Sequence, residues 1–249
     1  MPARYSVAAA ALLLVSCGGN NSAPKTQAQG EAERADTRTL EAGANALQDT
    51  TPVKQFGVYL VGFHPMKDDP SHQMEAHHYC NQVNEDFAQC VLFDGNTKQA
   101  NMNGVEYIIS EKSFQTLPPE ERKYWHPHNY EILSGQLVAP GLPDAAEKAF
   151  LAKKMNSYGK TFHFWATDSG DKLPMGDPHL AWSFNRDGEA RPQLTQDRDA
   201  RMKIDSGKKR QERQDLEPQA HPQWGVDDLK AKFPGSVPVP GVTDARSGK

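Results

Sequence analysis

Residues 75–90 read EAHHYCNQVNEDFAQC and bring two adjacent histidines, two cysteines and three acidic residues into one short stretch. On either side of its centre, MEAHHYC (74–80) and FAQCVLF (87–93) alternate apolar and polar residues, which predicts two β-strands. The polar segment NQVNED (81–86) between them predicts the turn of a hairpin. An antiparallel hairpin is therefore expected at the centre of the fold.

The segments around this hairpin extend the same pattern. FGVYLVGF (56–63) is a continuous apolar run that predicts a buried strand. Helices are predicted at PPEERKYW (118–125) and at DAAEKAFLAKKMNSYG (144–159), the second with Asp144 as its N-cap. Further strands are predicted at VEYIIS (105–110), NYEILSGQLVA (129–139), KTFHFWAT (160–167) and HLAWSF (179–184). With short connections and no repeated βαβ unit, the fold class is α+β, a single compact domain with a mainly antiparallel sheet and a few short helices.

Composition places the limits of this domain. The chain has 249 residues with 37% hydrophobic content, and its apolar residues concentrate between about positions 53 and 184. We therefore expect a core domain over 52–188, a flexible, disordered tether before it, and a polar C-terminal extension over 189–249 that ends as an extended tail. A net charge of −4 argues against a nucleic-acid-binding protein.

The N-terminal residues predict export. Arg4 precedes nine uncharged residues (7–15), a run too short for an ordinary membrane-spanning helix of about 20 residues but typical of a secretory signal peptide. LVSC (14–17) resembles a bacterial lipobox. That resemblance implies a signal peptide over 1–16, cleavage before Cys17, and acylation of Cys17.

The consequence of acylation is a stable membrane anchor, because two acyl chains suffice to hold a protein at a bilayer. Residues 17–51 would then be the lipidated N-terminus and the tether. Glycine at position 18 implies, by the same resemblance, sorting to the outer membrane of a Gram-negative cell. The expected location is the bacterial envelope, with the domain facing the periplasm and the membrane as its partner; any protein or lipid partner stays open.

Two flanking segments carry weaker patterns. Leu40, Ala44 and Leu47 recur at helical spacing, which predicts a short helix docking on the domain. The basic run RDARMKIDSGKKRQER (198–213) is interpreted either as a solvated helix or strap lying on the domain, or as a segment attracted to anionic headgroups. Trp224 and Phe233 are expected to fix parts of the tail.

The cysteines leave two outcomes open. If 74–80 pairs with 87–93 across a turn at 81–86, Cys80 faces Phe87 and Cys90 faces His77. The two cysteines then lie out of register, beyond the usual Cα separation of roughly 4.4–6.8 Å for a disulfide. This favours two buried thiols, which would also serve as soft metal ligands. A wider loop would restore opposition and allow a disulfide, which an oxidising periplasm preserves.

The histidines form the candidate site. His126 and His128 flank a proline, and on an extended segment such a pair shares one face, a geometry that β-scaffolds use to hold a divalent metal. His77 and His78 point to opposite faces, so only one of them joins a given site. The candidate ligands are one of His77 and His78 together with His126, His128, Glu131 and His163. The alternative is a polar core seam in which the imidazoles and carboxylates satisfy one another.

Several segments together resemble the oil body-associated protein family, whose domain carries no assigned molecular function. The matching stretches are LEAGANALQ (40–48), GFHP (62–65), EAHHYCNQVNEDFAQCVLFD (75–94), GVEYIIS (104–110), FQTLPPEERKYWHPHNYEILSGQL (114–137), YGKTFHFWATDSGDKLPMGDPHLAWSF (158–184) and QDRDARM (196–202). The resemblance implies affinity for lipid surfaces and no established catalysis. The lipobox departs from the plant oil-body setting that gives the family its name.

Three functional hypotheses follow. The first is a membrane-tethered lipoprotein whose domain works as a binding or envelope-associated module. The second is a metal-dependent enzyme built on the histidine cluster, although no G-x-S-x-G, Walker A, G-x-G-x-x-G or H-E-x-x-H motif occurs. The third is a lipid-binding protein, for which a sizeable apolar cavity or an exposed apolar patch would be expected.

Overall fold

The protein is described here by a computed structural model that covers residues 21–246. The predicted signal peptide and the lipidation site Cys17 lie outside the described residues.

A seven-stranded sheet forms the centre of the domain, and all of its neighbouring strands are antiparallel. The order along the sheet is β1-β2-β3-β4-β6-β5, with β7 pairing β6. This architecture confirms the predicted α+β class. The strands are β1 Val58–Pro65, β2 Gln73–Asn84, β3 Phe87–Phe93, β4 Met102–Ile109, β5 His126–Pro127, β6 Tyr158–His163 and β7 His179–Leu180.

The central hairpin has a tighter turn than the sequence predicted. β2 continues through the polar residues up to Asn84, and only Glu85 and Asp86 form the turn. Because the hairpin is longer, Cys80 pairs directly with Cys90 at a Cα–Cα distance of 4.0 Å, and the two form a disulfide. The expectation of two thiols out of register is therefore wrong. The residues at the end of β2 project into solvent and are polar, so their sequence resembles that of a turn. This resemblance caused the wrong prediction.

We expect this disulfide to stabilise the domain moderately. Replacing both Cys80 and Cys90 by serine removes a cross-link that closes a loop with a sequence separation of 10 residues. A loop of that size corresponds to about 2–3 kcal/mol of unfolding free energy. Urea denaturation of wild type and double variant measures the difference. As a control, dithiothreitol should lower the stability of the wild type but leave the variant unchanged.

The helices are short and surround the sheet. They are α1 Ala35–Leu47, α2 Thr51–Lys54, α3 Glu111–Gln115, α4 Pro119–Arg122, α5 Asn129–Leu133, α6 Asp144–Ala152, α7 Pro192–Met202 and α8 Ser206–Glu212. Helix α6 confirms the predicted helix but ends earlier than expected. Helix α5 lies where a strand was predicted. All five of its residues are buried, including the polar Asn129 and Glu131, so the spacing of the polar residues marks no solvent face by which a short helix could be told from a strand.

Helix α1 has the predicted position, but it does not dock on the domain. None of its residues is buried, and Leu40 and Leu47 are 75% and 89% exposed. No helix in the described part of the chain is long and apolar enough to cross a membrane.

The hydrophobic core continues beyond residue 188, where the sequence suggested that the domain ends. The main cluster, which contains Leu60, Phe63 and Ile132, also contains four apolar residues of the C-terminal segment. These are Leu216, Val226, Val239 and Val242. Phe233 packs against the same cluster and Trp224 against a second one, as their predicted role required. The segment after 188 is therefore part of the folded domain.

A buried carboxyl group gives the fold a pH dependence. Glu189 is 2% exposed, and one of its oxygens accepts a hydrogen bond from the Asn185 backbone N–H at 2.6 Å. Burial raises the pKa of Glu189 to about 7, although hydrogen bonds from the backbone of Asn185 and Arg186 act in the opposite direction. Because the folded state holds this proton more tightly than the unfolded state, stability should fall as pH rises through 7.

We expect Glu189→Gln to remove this dependence. The variant should match the wild type at about pH 4, below the carboxyl pKa of the unfolded chain, and exceed it by about 1–3 kcal/mol at about pH 8. Urea denaturation at both pH values measures the difference. Glu31→Gln, at an exposed position, serves as the control and should give no gain at either pH. A gain for Glu189→Gln that is the same at both pH values would contradict the assignment.

Candidate metal centre

Strand register brings four ionisable side chains to one face of the sheet. Residues directly opposite one another across an antiparallel sheet share a face, as do residues two apart on one strand. One row of such partners runs across five strands through Leu60, His78, Leu92, Gly104 and His163. His64 on β1 and Glu106 on β4 lie an even number of residues from this row. The sheet therefore presents His64, His78, Glu106 and His163 to the same side.

The segment 126–131 closes over this face. β5 places His126 opposite Gly159 on β6, and His128 precedes helix α5, which carries Glu131. Each of these three side chains is at most 4% exposed. Four strands of the sheet therefore form one side of the site, and β5 with the start of helix α5 forms the other side.

Glu106 is the centre of the cluster. Its Oε2 lies 2.9 Å from His78 Nε2, and its Oε1 lies 3.4 Å from His128 Nε2 and 3.5 Å from His126 Nε2. Within the described residues, three groups of ligand atoms lie close enough to hold a metal ion. They are His64, His78 and Glu106; His64, His126 and Glu131; and Glu106, His126 and His128.

Hydrogen bonds at the outer edge fix the histidine rings. His78 Nδ1 lies 3.1 Å from the carbonyl oxygen of Ala76, which can only accept, so Nδ1 donates. Ser157 Oγ donates to the Lys154 carbonyl, so it accepts from His128 Nδ1 at 2.8 Å. Both rings therefore carry a proton on Nδ1 and turn Nε2 towards Glu106. This is the arrangement that second-shell contacts impose on metal-binding histidines.

His64 and His163 form a second pair. His163 Nδ1 faces the Asn103 carbonyl at 3.3 Å and donates to it, which leaves its Nε2 to accept from His64 Nδ1 at 3.0 Å. The Nε2 of His64 is then an unprotonated lone pair in the interior. Both ring nitrogens of His126 are buried without a hydrogen-bond partner.

Burial keeps most of these imidazoles neutral. Burial, with a contribution from His128, lowers the pKa of His126 to about 3, and burial with His78 lowers that of His163 to about 4. Burial likewise holds the pKa of His64 well below its usual range. Neutral imidazole is the form that coordinates a metal.

The two carboxyl groups are shifted in opposite directions. Burial by itself would raise the pKa of Glu106, but the contacts of its oxygens with the His128, His78 and His126 rings act in the opposite direction and hold the pKa well below its ordinary value. Burial, followed by the charge of Glu106, raises the pKa of Glu131 well above its ordinary value. The cluster therefore contains one anion and a second carboxyl group that ionises only if positive charge is supplied.

A small cavity lies within the cluster. Its volume is about 20 Å³, and its polar lining consists of His64, His78, His128, Glu106, Glu131 and Lys154, with Leu60, Ile108 and Leu137 as the apolar part. That volume holds about one water molecule or one ion.

Comparison with known proteins identifies the family of the chain. Residues 50–217 match the family model described as "Protein of unknown function (DUF1264)". The chain belongs to the DUF1264 family. Every residue of the cluster falls within the matched range, whereas the predicted leader precedes it.

The curated relatives of this DUF1264 protein are plant proteins. It is 41% identical to oil body-associated protein 1B of Arabidopsis thaliana over 175 residues, 70% of this chain and 73% of that protein. It is 37% identical to oil body-associated protein 1A of Zea mays over 209 residues, 84% of this chain and 87% of that protein. The resemblance to oil body-associated proteins is therefore confirmed. No solved structure matches the chain.

The DUF1264 domain brings together five of the six predicted ligands: His78, His126, His128, Glu131 and His163. His77 lies on the other face of β2, where its ring contacts the Tyr59 hydroxyl at 2.7 Å and Glu75 at 3.0 Å.

Two central residues of the cluster were not predicted. His64 was overlooked because it ends a continuous apolar run, which gives no indication of the face on which a residue lies. Glu106 is the only charged residue of β4, and its position within a predicted strand was the available signal for a buried carboxylate. Gly159 is a third residue of the site that was not predicted. A Cβ at this position would lie 2.2 Å from Glu106 Oε1 and 2.7 Å from His126 Nε2.

Proposed function

We propose that this protein is a lipid-anchored protein of the bacterial envelope whose DUF1264 domain binds one divalent transition-metal ion in the histidine–glutamate cluster. The observation that carries the proposal is the orientation of His78 and His128. Both rings donate through Nδ1, so their Nε2 atoms meet Glu106 at 2.9 Å and 3.4 Å. A nitrogen lone pair that faces a carboxylate oxygen is electrostatically unfavourable. A metal ion between these atoms, or a proton on Nε2, removes the repulsion.

A metal ion suits the site better than protons alone. Protonating His78 and His128 would balance Glu106, but it would leave both ring nitrogens of His126 without partners. Unpaired buried polar atoms cost about 1–3 kcal/mol each. An ion coordinated by one ring nitrogen of His126 would give that atom a partner and would lower the pKa of Glu131, which belongs to one of the same ligand groups.

The donor set selects the class of ion. Imidazole nitrogens outnumber carboxylate oxygens in the cluster, and such mixed sites suit zinc and neighbouring first-row ions rather than magnesium or calcium. The disulfide between Cys80 and Cys90 leaves no free thiol in the described residues for a softer ion.

The surroundings favour binding over catalysis. The cavity of about 20 Å³ accepts an ion but not an organic substrate, since small-molecule sites typically occupy about 300–1,000 Å³. Every ligand is at most 4% exposed. A closed site of this kind stabilises a fold or stores an ion, so we propose a binding module rather than the metal-dependent enzyme.

The envelope location is supported by two features. The lipobox at 14–17 resembles that of bacterial lipoproteins, and the disulfide is of the kind that persists in an oxidising compartment. The names of the plant relatives refer to oil bodies, which are likewise lipid surfaces. We extend from them the association with a lipid surface.

Metal analysis of the purified full chain tests the binding proposal. We expect one equivalent of zinc or a neighbouring ion per chain by inductively coupled plasma mass spectrometry. His128→Ala removes one ligand and should weaken metal affinity by about 10–100-fold or more, as losing even an outer-shell partner does in other sites. His77→Ala, a neighbouring histidine outside the cluster, is the matched control and should retain the ion.

The outcomes are distinct. A wild type that folds without any metal, and gains no thermal stability when zinc is added, would show that protons balance Glu106 and would refute the metal site. Equal metal loss in His128→Ala and His77→Ala would point to general unfolding. Acylation of Cys17 is tested separately by mass spectrometry of the N-terminal peptide.

A further inference from the structure

The segment just after the proposed lipid anchor lies on the domain and does not form a free spacer. We call residues 22–29 the N-terminal strap. Ser22 and Thr26 are 4% and 2% exposed, which is unusual for polar residues so close to the end of the described chain. The flexible tether predicted from composition is therefore, over this part, a fixed element of the fold.

Hydrogen bonds hold the strap at two loops. Ser22 and Asn96 exchange two bonds, from Ser22 N to Asn96 Oδ1 at 2.7 Å and from Asn96 N to the Ser22 carbonyl at 2.9 Å. Asn101 Nδ2 donates to the Thr26 carbonyl at 2.8 Å. Further along, Thr26 Oγ1 donates to the Thr167 carbonyl at 3.0 Å. The strap is thus attached to the β3–β4 loop (94–101) and to the loop after β6 (167–172).

Gly95 shows how closely the strap approaches. A Cβ at this position would lie 2.4 Å from the Ser22 carbonyl oxygen and 3.3 Å from Pro24 N. Both contacts are with backbone atoms, so no side-chain movement could relieve them. The glycine is needed for the strap to lie where it does.

Docking at Ser22 leaves a short connection to the anchor. Cys17 is five residues before Ser22, and five residues span at most about 18 Å even when fully extended. An acylated Cys17 must lie at the bilayer surface. The loops that bind the strap must then lie within about the same distance of that surface.

Three lysines lie at this end of the domain. Lys25 on the strap, Lys98 on the first loop and Lys172 on the second are all exposed, and none forms an ion pair within residues 21–246. Such cations near an anionic bilayer contribute about 1 kcal/mol each.

Three carboxylates lie on the same segments and keep their charge. Asp94 accepts two hydrogen bonds from Asn101, and Asp168 contacts His72 at 3.1 Å. With Asp171 they balance the three lysines, so the orientation proposed below follows from the strap and its short connection to the anchor, not from a net charge.

We propose that the end of the domain formed by the strap and its two loops docks on a phospholipid bilayer, in a fixed orientation. This inference rests on the proposed lipid anchor. In this arrangement the domain does not move freely on a long tether but is held against the membrane. Its β2–β3 turn points away from the bilayer. β3 has seven residues, so its two ends are about 20 Å apart.

Fluorescence quenching in vesicles tests the orientation. The full acylated chain is reconstituted into phosphatidylethanolamine–phosphatidylglycerol vesicles that contain a lipid with a nitroxide on its headgroup. A fluorophore is attached at Gln99→Cys on the β3–β4 loop or at Glu85→Cys at the opposite end of β3. The native cysteines do not compete, since Cys80 and Cys90 are paired and Cys17 is acylated. We expect several-fold stronger quenching at 99 than at 85.

Gly95→Ala provides the internal control. It displaces the strap without touching the lipid anchor, and should reduce quenching at 99 to the level at 85. Equal quenching at the two positions in the otherwise unchanged chain would overturn the docking proposal, as would an unaltered pattern in Gly95→Ala. A chain that does not float with vesicles and lacks acyl groups would refute the anchor as well, so the two failures are distinguishable.

Discussion

Gly159→Ala is expected to destabilise the domain by more than about 3 kcal/mol and to abolish metal binding, although it adds a single methyl group. The new Cβ would lie 2.2 Å from Glu106 Oε1 and 2.6 Å from His126 Cε1. Both neighbours are buried and held by β4 and β5, which pair with β6 on either side of Gly159. Relief requires either moving Glu106 from its histidines or separating β5 from the sheet.

The measurement combines urea denaturation with metal analysis of the folded fraction. Gly57→Ala is the matched control, because a Cβ at Gly57 meets nothing within 4 Å. This control should bind metal normally and change stability by less than about 1 kcal/mol. A Gly159→Ala protein with wild-type stability and a full equivalent of metal would show that the cluster is loose and not a preorganised site.

Arg213→Ala is expected to cost about 3–5 kcal/mol, the second large effect. Arg213 is 1% exposed, and its Nη1 donates to the carbonyls of Ile132 at 2.8 Å and Leu137 at 2.9 Å. Its Nη2 lies 3.4 Å from Glu147. Removing the guanidinium takes a donor from the buried carbonyls of Ile132 and Leu137 and one cation from Glu147 on α6, which keeps Lys209 and the Ala139 N–H as partners.

Arg210→Ala, one turn earlier, is the control. Arg210 forms a two-pronged ion pair with Asp187 at 2.9 Å, but it is 41% exposed, so its loss should cost no more than about 1 kcal/mol. Equal losses for the two variants would contradict the view that residues after 188 form part of the core. The comparison therefore also tests the domain boundary.

The pairing of Cys80 with Cys90 depends on a strand register that the sequence did not predict. Both strands were predicted from alternation, and their antiparallel pairing followed. The register depended on whether the polar residues after Cys80 belong to the turn or to the strand. Side-chain polarity cannot answer that question at the end of a sheet, because a strand that projects into solvent is polar on both faces.

The burial of Arg198 and Arg213 is a second feature that the sequence did not predict. The basic run at 198–213 predicted a solvated segment on the surface of the domain, since buried arginines are rare. Arg198 is fully buried and donates to the Gln136 carbonyl at 2.9 Å and to Ser206 Oγ at 2.8 Å. Burial of a charge depends on partners contributed by distant segments, which local composition does not reveal.

The amino-acid sequence by itself determined the sheet, its antiparallel connections, the hairpin with its cysteines and the concentration of histidines, because strand alternation, turn chemistry and residue type are local properties. It also placed His78 and His77 on opposite faces. Only the tertiary structure decided that Glu106 and His64 complete the cluster, that Gly159 makes room for it, and that the strap binds Asn96. Those facts depend on which strands become neighbours, and contacts between residues far apart in the chain are set by packing.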